Sequence, residues 1–152
     1  MEQLKIVPQV GTVTWLGVRP ARGAPMLTKE EVELVAERGI VGDRYQFSGN
    51  RQVTLIQAEH LPVIAALTGG AVTPELVRRN VVVSGVNLLS LQKQRFAIGG
   101  AILIGTGACA PCEKMEVALG VGGFQAMRGH GGICARIERS GVIRNGDRVR
   151  LL

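Results

Sequence analysis

Short apolar stretches separated by turn residues run through most of the chain, and they predict strands more often than helices. Residues 10–18 alternate between apolar and polar positions, as a half-buried strand does. Residues 51–56 and 80–85 are rich in β-branched side chains, which favour strands. Residues 101–104 form a continuous apolar run, typical of a buried strand. The pattern also predicts strands at 96–99, 132–138 and 147–152, with turns at Gly141 and Asn145-Gly146.

One segment obeys two local rules that conflict. Thr28 followed by Glu31 has the spacing of a capping box, which opens a helix. Val32 and Leu34 alternate with glutamates, which is typical of a strand. We interpret residues 28–35 as extended and expect Gly39 to end the strand.

Helical spacing is confined to short segments. Apolar residues within 58–67 recur at helical intervals, and Gly69-Gly70 ends the pattern. Thr73-Pro74 is a typical start for a second short helix. About seven strands with two or three short helices predict a mainly β fold, a mostly antiparallel β-barrel with peripheral helices.

The composition fits this prediction. The chain has 152 residues, of which 46% are hydrophobic, so we expect one domain spanning residues 1–152. Glycine is abundant, with 21 residues, and aromatic residues make up 3% of the chain. A turn-rich barrel with an aliphatic core follows more readily from these values than a helical bundle.

The net charge of +6 is carried mostly by arginine, whose fork of donors suits phosphate and other oxyanions. Nucleic acid is a poor candidate partner, because the basic residues are spread along the chain and the aromatic residues do not interleave with them. No apolar run approaches the length of about 18 residues that spans a bilayer. The expected partner is therefore a small anionic molecule, and neither nucleic acid nor a membrane is expected.

The segment around Cys109 and Cys112 is the strongest candidate for chemistry. It directly follows the apolar run at 101–104, so a buried strand would deliver both thiols at its end, with Pro111 fixing the exit and a short helix beyond. Three cysteines, an odd number, favour free thiols in a reducing compartment, and we expect a cytoplasmic protein.

Several kinds of site agree with this spacing. The pair could be half of a zinc site, completed from Cys134, His60 and His130, although no second close pair is present. It could be the dithiol of a disulfide oxidoreductase, or two small buried hydrophobic residues. For Cys134 we favour a place in the core, and for the two histidines a structural role.

Other polar residues carry weaker signals. Arg78, Arg79 and Asn80 follow the second predicted helix, where cations complement the dipole of the helix. Arg51 opens a strand. Residues 129–132 form a glycine-rich loop whose backbone amides could approach an anion.

The order of these motifs along the chain resembles a MOSC domain. The motifs that carry the resemblance are Gly39-Ile40-Val41-Gly42-Asp43-Arg44, Arg51-Gln52-Val53-Thr54-Leu55-Ile56 with Glu59, Arg78-Arg79-Asn80-Val81-Val82-Val83-Ser84-Gly85, Phe96-Ala97-Ile98-Gly99, Cys109-Ala110-Pro111-Cys112 and Ile143-Arg144-Asn145-Gly146-Asp147. The resemblance extends from about residue 10 to residue 152, so it covers nearly the whole chain.

The resemblance implies a β-barrel domain that binds the molybdenum cofactor, a molybdopterin. It implies that Cys112 is the ligand of the metal and the catalytic residue, since a thiolate is a soft ligand suited to a redox-active metal. It also places Arg78, Arg79 and Asn80 against the phosphate and pterin, with Arg51, Gln57 and Cys109 as further cofactor-binding residues.

Two functions agree with the resemblance. In the first, the protein reduces an N-hydroxylated small molecule and receives electrons from a separate donor protein. In the second, it carries sulfur as a persulfide, received from a sulfur donor, or carries the cofactor itself, without turnover.

Overall fold

The computed structural model describes residues 2–152, which form a mainly β structure with four short helices. The strands are β1 (Gly11–Val18), β2 (Leu27–Lys29), β3 (Glu31–Val35), β4 (Gly39–Ile40), β5 (Val53–Gln57), β6 (Val81–Ser84), β7 (Arg95–Ile98), β8 (Ala101–Ala108), β9 (Ile133–Arg139), β10 (Gly141–Arg144) and β11 (Arg148–Leu151). The helices are α1 (His60–Thr68), α2 (Pro74–Val77), α3 (Lys114–Leu119) and α4 (Gly123–Met127), and single turns of 3-10 helix occupy Glu2–Lys5 and Leu88–Leu91.

Seven strands close into a barrel in the order β11-β7-β8-β9-β5-β6-β1, and β1 pairs again with β11. Within the described chain, β5 and β6 form the parallel pair of this barrel, and the other pairs are antiparallel. Closure leaves no free edge on the seven strands, while β2 extends the sheet beyond β1. A separate three-stranded sheet has the order β10-β3-β4. The predicted mostly antiparallel barrel is confirmed.

Two apolar clusters lie on opposite faces of the barrel wall. Large aliphatic side chains and Phe96 fill the interior. The second cluster covers the outer face where the helices pack, and it consists of Ile56, Ile64, Val77, Val82, Met115, Ala126 and Met127. Every residue of β5 is buried, because the barrel core lies on one face and the helices on the other. A strand buried on both faces explains the continuous apolar run in this segment.

The conflicting segment at 28–35 is extended, as interpreted, and contains β2 and β3. The pairing of β3 with both β10 and β4 explains why the strand pattern prevails over the local capping signal. Strand β10 is an addition to the predicted elements, because its four residues lie in a segment that the sequence marks only as turns.

Helix α4 is the second addition. The Glu116 carboxylate accepts hydrogen bonds from the backbone N–H groups of Gly122 at 2.9 Å and Phe124 at 3.0 Å, at the start of this helix. These contacts lower the pKa of Glu116. The cap lies in α3, so the sequence around α4 carries no local signal for its start.

Candidate functional site

The loop that carries Cys112 connects β8 to α3. Strand β8 ends at Ala108, and Cys109 is the first residue beyond it. The N–H of Met115 donates to the carbonyl of Cys112 at 2.9 Å, which ties the loop to the first turn of α3. Cys112 is exposed, whereas Cys109 is buried. Strand β8 leads into the segment with the two thiols, as predicted, but its residues alternate between buried and partly buried rather than being buried throughout, and the two thiols lie in different environments.

Cys112 lies on the wall of a cavity of about 60 Å³ that is strongly cationic. The other lining residues are Arg19, Arg44, Tyr45, Arg51, Arg78, Arg79, Lys114 and Met115. Five arginines and one lysine therefore surround a cavity that also contains a thiol. We call this the arginine cavity. Its charge suits an anionic group.

The backbone at the end of α2 directs Arg78 towards the cavity. Arg78 has φ of 58°, a left-handed conformation that a side chain other than glycine seldom adopts, and it forms the C-terminal cap of the helix. Its Nη1 donates to the carbonyl of Ala24 at 2.8 Å. Unusual backbone conformations are concentrated at functional sites, where surrounding contacts maintain them.

Three guanidinium groups pack around the ring of Tyr45. The Cζ atoms of Arg19, Arg44 and Arg51 lie 4.5, 4.6 and 5.3 Å from the ring centroid, at distances typical of cation–π contacts. The Nε of Arg51 is buried and meets no hydrogen-bond acceptor among the described residues. A buried donor without an acceptor is costly, so Arg51 is suited to receive an acceptor from a ligand.

Beneath the cavity, Arg19, Asp43, Thr54 and Asn80 form a buried network. Arg19 donates to both carboxylate oxygens of Asp43 at 3.1 Å, and the side chains of this ion pair are at most 4% exposed. The side-chain oxygen of Asn80 accepts from Arg19 at 2.9 Å and from the hydroxyl of Thr54 at 3.0 Å. Its amide nitrogen donates to Asp43 at 3.1 Å. The network fixes Arg19, and through it one side of the cavity.

Arg79 connects the cavity to Cys109. Its guanidinium donates to the carbonyls of Gly131 at 2.9 Å, Val77 at 3.0 Å and Cys109 at 3.1 Å. Burial lowers the pKa of Arg79, and the neighbouring Cys109 opposes this shift.

The pKa values of Cys109 and Cys134 are shifted in opposite directions. A hydrogen bond with Cys134 lowers the pKa of Cys109 to about 6, and the positive charges of Arg79, Arg51 and Arg19 act in the same direction against burial. The same hydrogen bond and burial raise the pKa of Cys134. Cys134 is buried within β9, as expected, but it also contacts a thiolate.

A second cavity of about 320 Å³ lies on the other side of the cysteine loop. Its walls include Leu89, Pro111, Phe124, Arg128 and Cys109, together with Ala108, Ala110, Gly129, Gly131 and Gly132. Part of this wall comes from α4 and the turn after it. We call this the apolar cavity.

Glycine is required where the loop after α4 meets the barrel. Gly132 has φ of 86°, and a side chain there would collide with the carbonyl of Leu55. A Cβ atom on Gly131 would lie 2.5 Å from the carbonyl oxygen of Cys109. The close approach lets this loop accept hydrogen bonds from Arg79 and Cys109.

The structure brings together most of the residues predicted from the sequence. Cys112, Arg51, Arg78 and Arg79 line the arginine cavity, while Asn80 lies beneath it and Cys109 behind it, in the wall of the apolar cavity. Gln57 is separate from both cavities: it is buried, and its Oε1 accepts from the N–H of Leu88 at 3.0 Å. Their roles in binding a cofactor remain predictions.

Sequence reasoning missed Arg19, Asp43 and Tyr45 as parts of the site. Asp43 and Tyr45 belong to an irregular segment, and their partner Arg19 lies 24 residues before Asp43. The sequence signal that could have identified this part of the site is the run Asp43-Arg44-Tyr45, which places two charged residues next to an aromatic residue in a chain with few aromatic residues.

The remaining sequence candidates are structural in their contacts. The rings of His60 and His130 meet edge to face with centroids 5.3 Å apart, which joins α1 to the loop after α4. Burial and the neighbouring His130 lower the pKa of His60.

Among residues 2–152, no three His, Cys, Asp or Glu side chains lie close enough together to hold a metal ion, and a structural zinc would need four ligands. No helix within these residues has the length and apolar character to cross a membrane.

The fold and the site define a class of protein: a small closed β-barrel whose wall carries an exposed thiol beside clustered arginines. The sequence model of the MOSC domain matches residues 42–150. The chain therefore belongs to the MOSC domain family, which is associated with the molybdenum cofactor.

Solved structures show the same fold. The YuaD protein of Bacillus subtilis superposes with a TM-score of 0.82 at 21% identity, covering 95% of this chain and 97% of its own. YiiM of Geobacillus stearothermophilus gives a TM-score of 0.72 at 15% identity, covering 93% and 75% of the two chains. YiiM of Escherichia coli gives 0.69 at 20% identity, covering 96% and 69%. No curated protein matches the chain in sequence.

Proposed function

We propose that this protein binds the molybdenum cofactor and reduces N-hydroxylated small molecules with it, with Cys112 as the protein ligand of the metal. The observation that carries the proposal is the exposed thiol of Cys112 in a cavity lined by five arginines and Lys114. A soft sulfur ligand and a cluster of cations match the two parts of the cofactor, a redox-active metal and a phosphorylated pterin.

The residues present fit the cofactor in charge and in free donors. Arg51 offers a buried Nε that lacks an acceptor among the described residues, and Arg78 holds a strained backbone that faces the cavity. These two, with Lys114, would bind the phosphate. Arg19 is held by Asp43 and Asn80, so it would present a fixed positive charge with little loss of conformational freedom on binding.

Some predicted residues take indirect roles under this proposal. Asn80 donates to Asp43 and accepts from Arg19, so it would position Arg19 rather than contact the cofactor. The guanidinium of Arg79 already donates hydrogen bonds to three carbonyls, so it would contribute positive charge more than hydrogen bonds to the cofactor. Gln57 would have no contact with the cofactor, because it binds the turn at Leu88.

When bound, the cofactor supplies a centre that can exchange two electrons. The chain would bind and orient it, and the apolar cavity of about 320 Å³ would admit a small substrate on the other side of the Cys109–Cys112 loop. Arg128 at this cavity would favour a substrate with an acceptor or a negative charge. Protons would come from solvent, which reaches the exposed Cys112 loop, and electrons from a separate donor protein.

A second function shares the same thiol. An exposed thiol beside Lys114 and several arginines is also suited to carry a persulfide, since cations stabilise a sulfur anion. In this case Cys112 would take sulfur from a donor and pass it to a client, without turnover at a metal.

The test is to express the protein in cells that make the cofactor and to measure molybdenum and pterin per chain. We expect close to one of each in the wild type, loss of molybdenum in Cys112→Ser, and retention in Cys109→Ser. Loaded protein should then reduce an N-hydroxylated base when a reductant is supplied. Absence of both molybdenum and pterin in repeated preparations would refute the proposal, and a mass gain of one sulfur on Cys112 after incubation with a sulfur donor would favour the carrier.

A further inference from the structure

A second pair of thiols lies outside the arginine cavity. In the β8–β9 ladder, Cys134 is the partner of Gly107, and Cys109 follows Gly107 by two residues, so both cysteine side chains point to the same side of the sheet. The N–H of Cys109 donates to the carbonyl of Gly132 at 2.9 Å, which holds the two segments side by side beyond the end of β8. The two thiols are close enough for each to shift the pKa of the other.

The surroundings of Cys109 favour its thiolate. Arg79 is 4% exposed, and its three hydrogen bonds go to carbonyl groups. Within residues 2–152, the ion pairs present leave Arg79 without a carboxylate partner. A buried cation needs a compensating negative charge, and among its ionisable neighbours Cys109 does most to favour the charged form of Arg79.

The apolar cavity is the route by which a small oxidant would approach Cys109. Cys109 is a wall residue of the apolar cavity, whose volume of about 320 Å³ far exceeds the volume of a peroxide molecule. Cys112 lines a different cavity, on the other side of the loop that contains Pro111. The strand register and the separate cavities therefore favour Cys134 over Cys112 as the partner of Cys109, although the spacing of Cys109 and Cys112 in sequence favours the opposite.

We propose that Cys109 and Cys134 form a peroxide-reactive thiol site, in which Cys109 is the nucleophile and Cys134 resolves it to a disulfide. This assignment does not depend on binding of the molybdenum cofactor. It requires only a peroxide as oxidant.

The chemistry proceeds in two balanced steps. The thiolate of Cys109 attacks one oxygen of hydrogen peroxide, the O–O bond breaks, and the hydroxide that leaves takes a proton to become water; Cys109 is then a sulfenic acid. The sulfur of Cys134 attacks the sulfenic sulfur and releases the hydroxyl group, which leaves as a second water with the thiol proton. Two thiols and one peroxide give one disulfide and two waters, so the two thiols together lose two electrons.

The bridge would close next to an irregular part of the ladder. Cys109 lies one residue beyond the end of β8, and a register shift in the β8–β9 ladder between Gly105 and Gly107 already departs from regular pairing. Oxidation would remove the thiolate beside Arg79. The guanidinium of Arg79 also donates to the carbonyls of Cys109 and Gly131, and these hydrogen bonds join the two residues.

The experiment treats reduced full-length protein with one equivalent of hydrogen peroxide and counts free thiols, then maps the disulfide by mass spectrometry of peptides. We expect the count to fall from three to one, with Cys112 remaining free and a Cys109–Cys134 linkage. Cys112→Ser is the matched control and should form the same linkage. Cys134→Ser should stop at a sulfenic acid on Cys109, which a cyclic 1,3-diketone captures.

Two results would overturn the proposal. The first is a Cys109–Cys112 linkage in the wild type, which would make the sequence motif a dithiol. The second is oxidation of Cys112 while Cys109 and Cys134 stay reduced. Circular dichroism of each variant, recorded before oxidation, distinguishes altered reactivity from failure to fold.

Discussion

Cys109 and Cys112 belong to the same tetrapeptide but to regions that differ in nearly every physical respect. Cys109 is 2% exposed and lies against Cys134 and Arg79 in the barrel wall. Cys112 is exposed on a loop beside Lys114. The polar groups of Arg79 and of the network around Asp43 are paired, whereas Arg51, in the arginine cavity that Cys112 lines, keeps its Nε without an acceptor among the described residues. Under the proposed function, the buried region maintains the geometry and the exposed region binds the ligand.

The network of Arg19, Asp43, Thr54 and Asn80 gives the buried region its rigidity. The carboxylate of Asp43 accepts from the backbone and side chain of Arg19, from Asn80, and from the N–H of Tyr45 at 3.1 Å. Satisfied networks of this kind specify one arrangement, because removing any member leaves buried polar groups without partners. The strongest test of the contrast is therefore the removal of Asp43.

Asp43→Ala should cause the largest loss of stability. It leaves the guanidinium of Arg19 buried without its counter-ion, and breaking a buried ion pair in this way costs about 3–5 kcal/mol. The free energy of unfolding, measured by urea denaturation, should fall by this amount. The matched control is Glu31→Gln, which breaks the exposed ion pair with Arg144 and should cost less than about 1 kcal/mol. Equal effects of the two substitutions would show that the network does not stabilise the fold.

The sequence predicts the strands of the barrel well because each of these strands carries a local signal. Alternation in β1, the β-branched run of β6 and the turn at Asn145-Gly146 are each visible within a few residues. Elements whose stability comes from distant partners were missed. Helix α4 depends on a carboxylate from α3, and β10 depends on pairing with β3 more than 100 residues earlier.

The site shows the same division. Cys112, Arg78 and Arg79 were found because the order of motifs resembles a family, while Arg19 and Tyr45 were missed because their contacts arise only in the folded chain. The pairing of Cys109 with Cys134 lies equally beyond local sequence, since 25 residues separate them and the register of β8 with β9 brings them together.

The contribution of Cys109 to stability should depend on pH. Its pKa of about 6 in the folded protein lies below the ordinary thiol value of 9.0, so the unfolded chain holds the proton more tightly. The contribution is therefore fully present above about pH 9 and is lost as the pH falls towards 6. The difference in the free energy of unfolding between wild type and Cys109→Ser should widen from pH 6 to pH 9.

Cys134→Ser is the control for this trend, because the serine hydroxyl can still donate to Cys109 and the widening should persist in part. Absorbance of the thiolate in the far ultraviolet provides a direct titration, whose step near pH 6 should disappear in Cys109→Ser. If the difference in the free energy of unfolding between wild type and Cys109→Ser stays constant from pH 6 to pH 9, the folded protein does not stabilise the Cys109 thiolate. There would then be no basis for treating Cys109 and Cys112 as chemically distinct.

Cys112→Ser should have the smallest effect on stability, within about 0.5 kcal/mol, because the side chain is exposed and surface substitutions away from buried features change little. Urea denaturation of the protein without cofactor measures this change. The same substitution should abolish molybdenum retention under the proposed function, so stability and binding would separate at this residue. A large loss of stability would instead make Cys112 part of the structural framework, and loss of molybdenum in the variant would then say nothing about ligation.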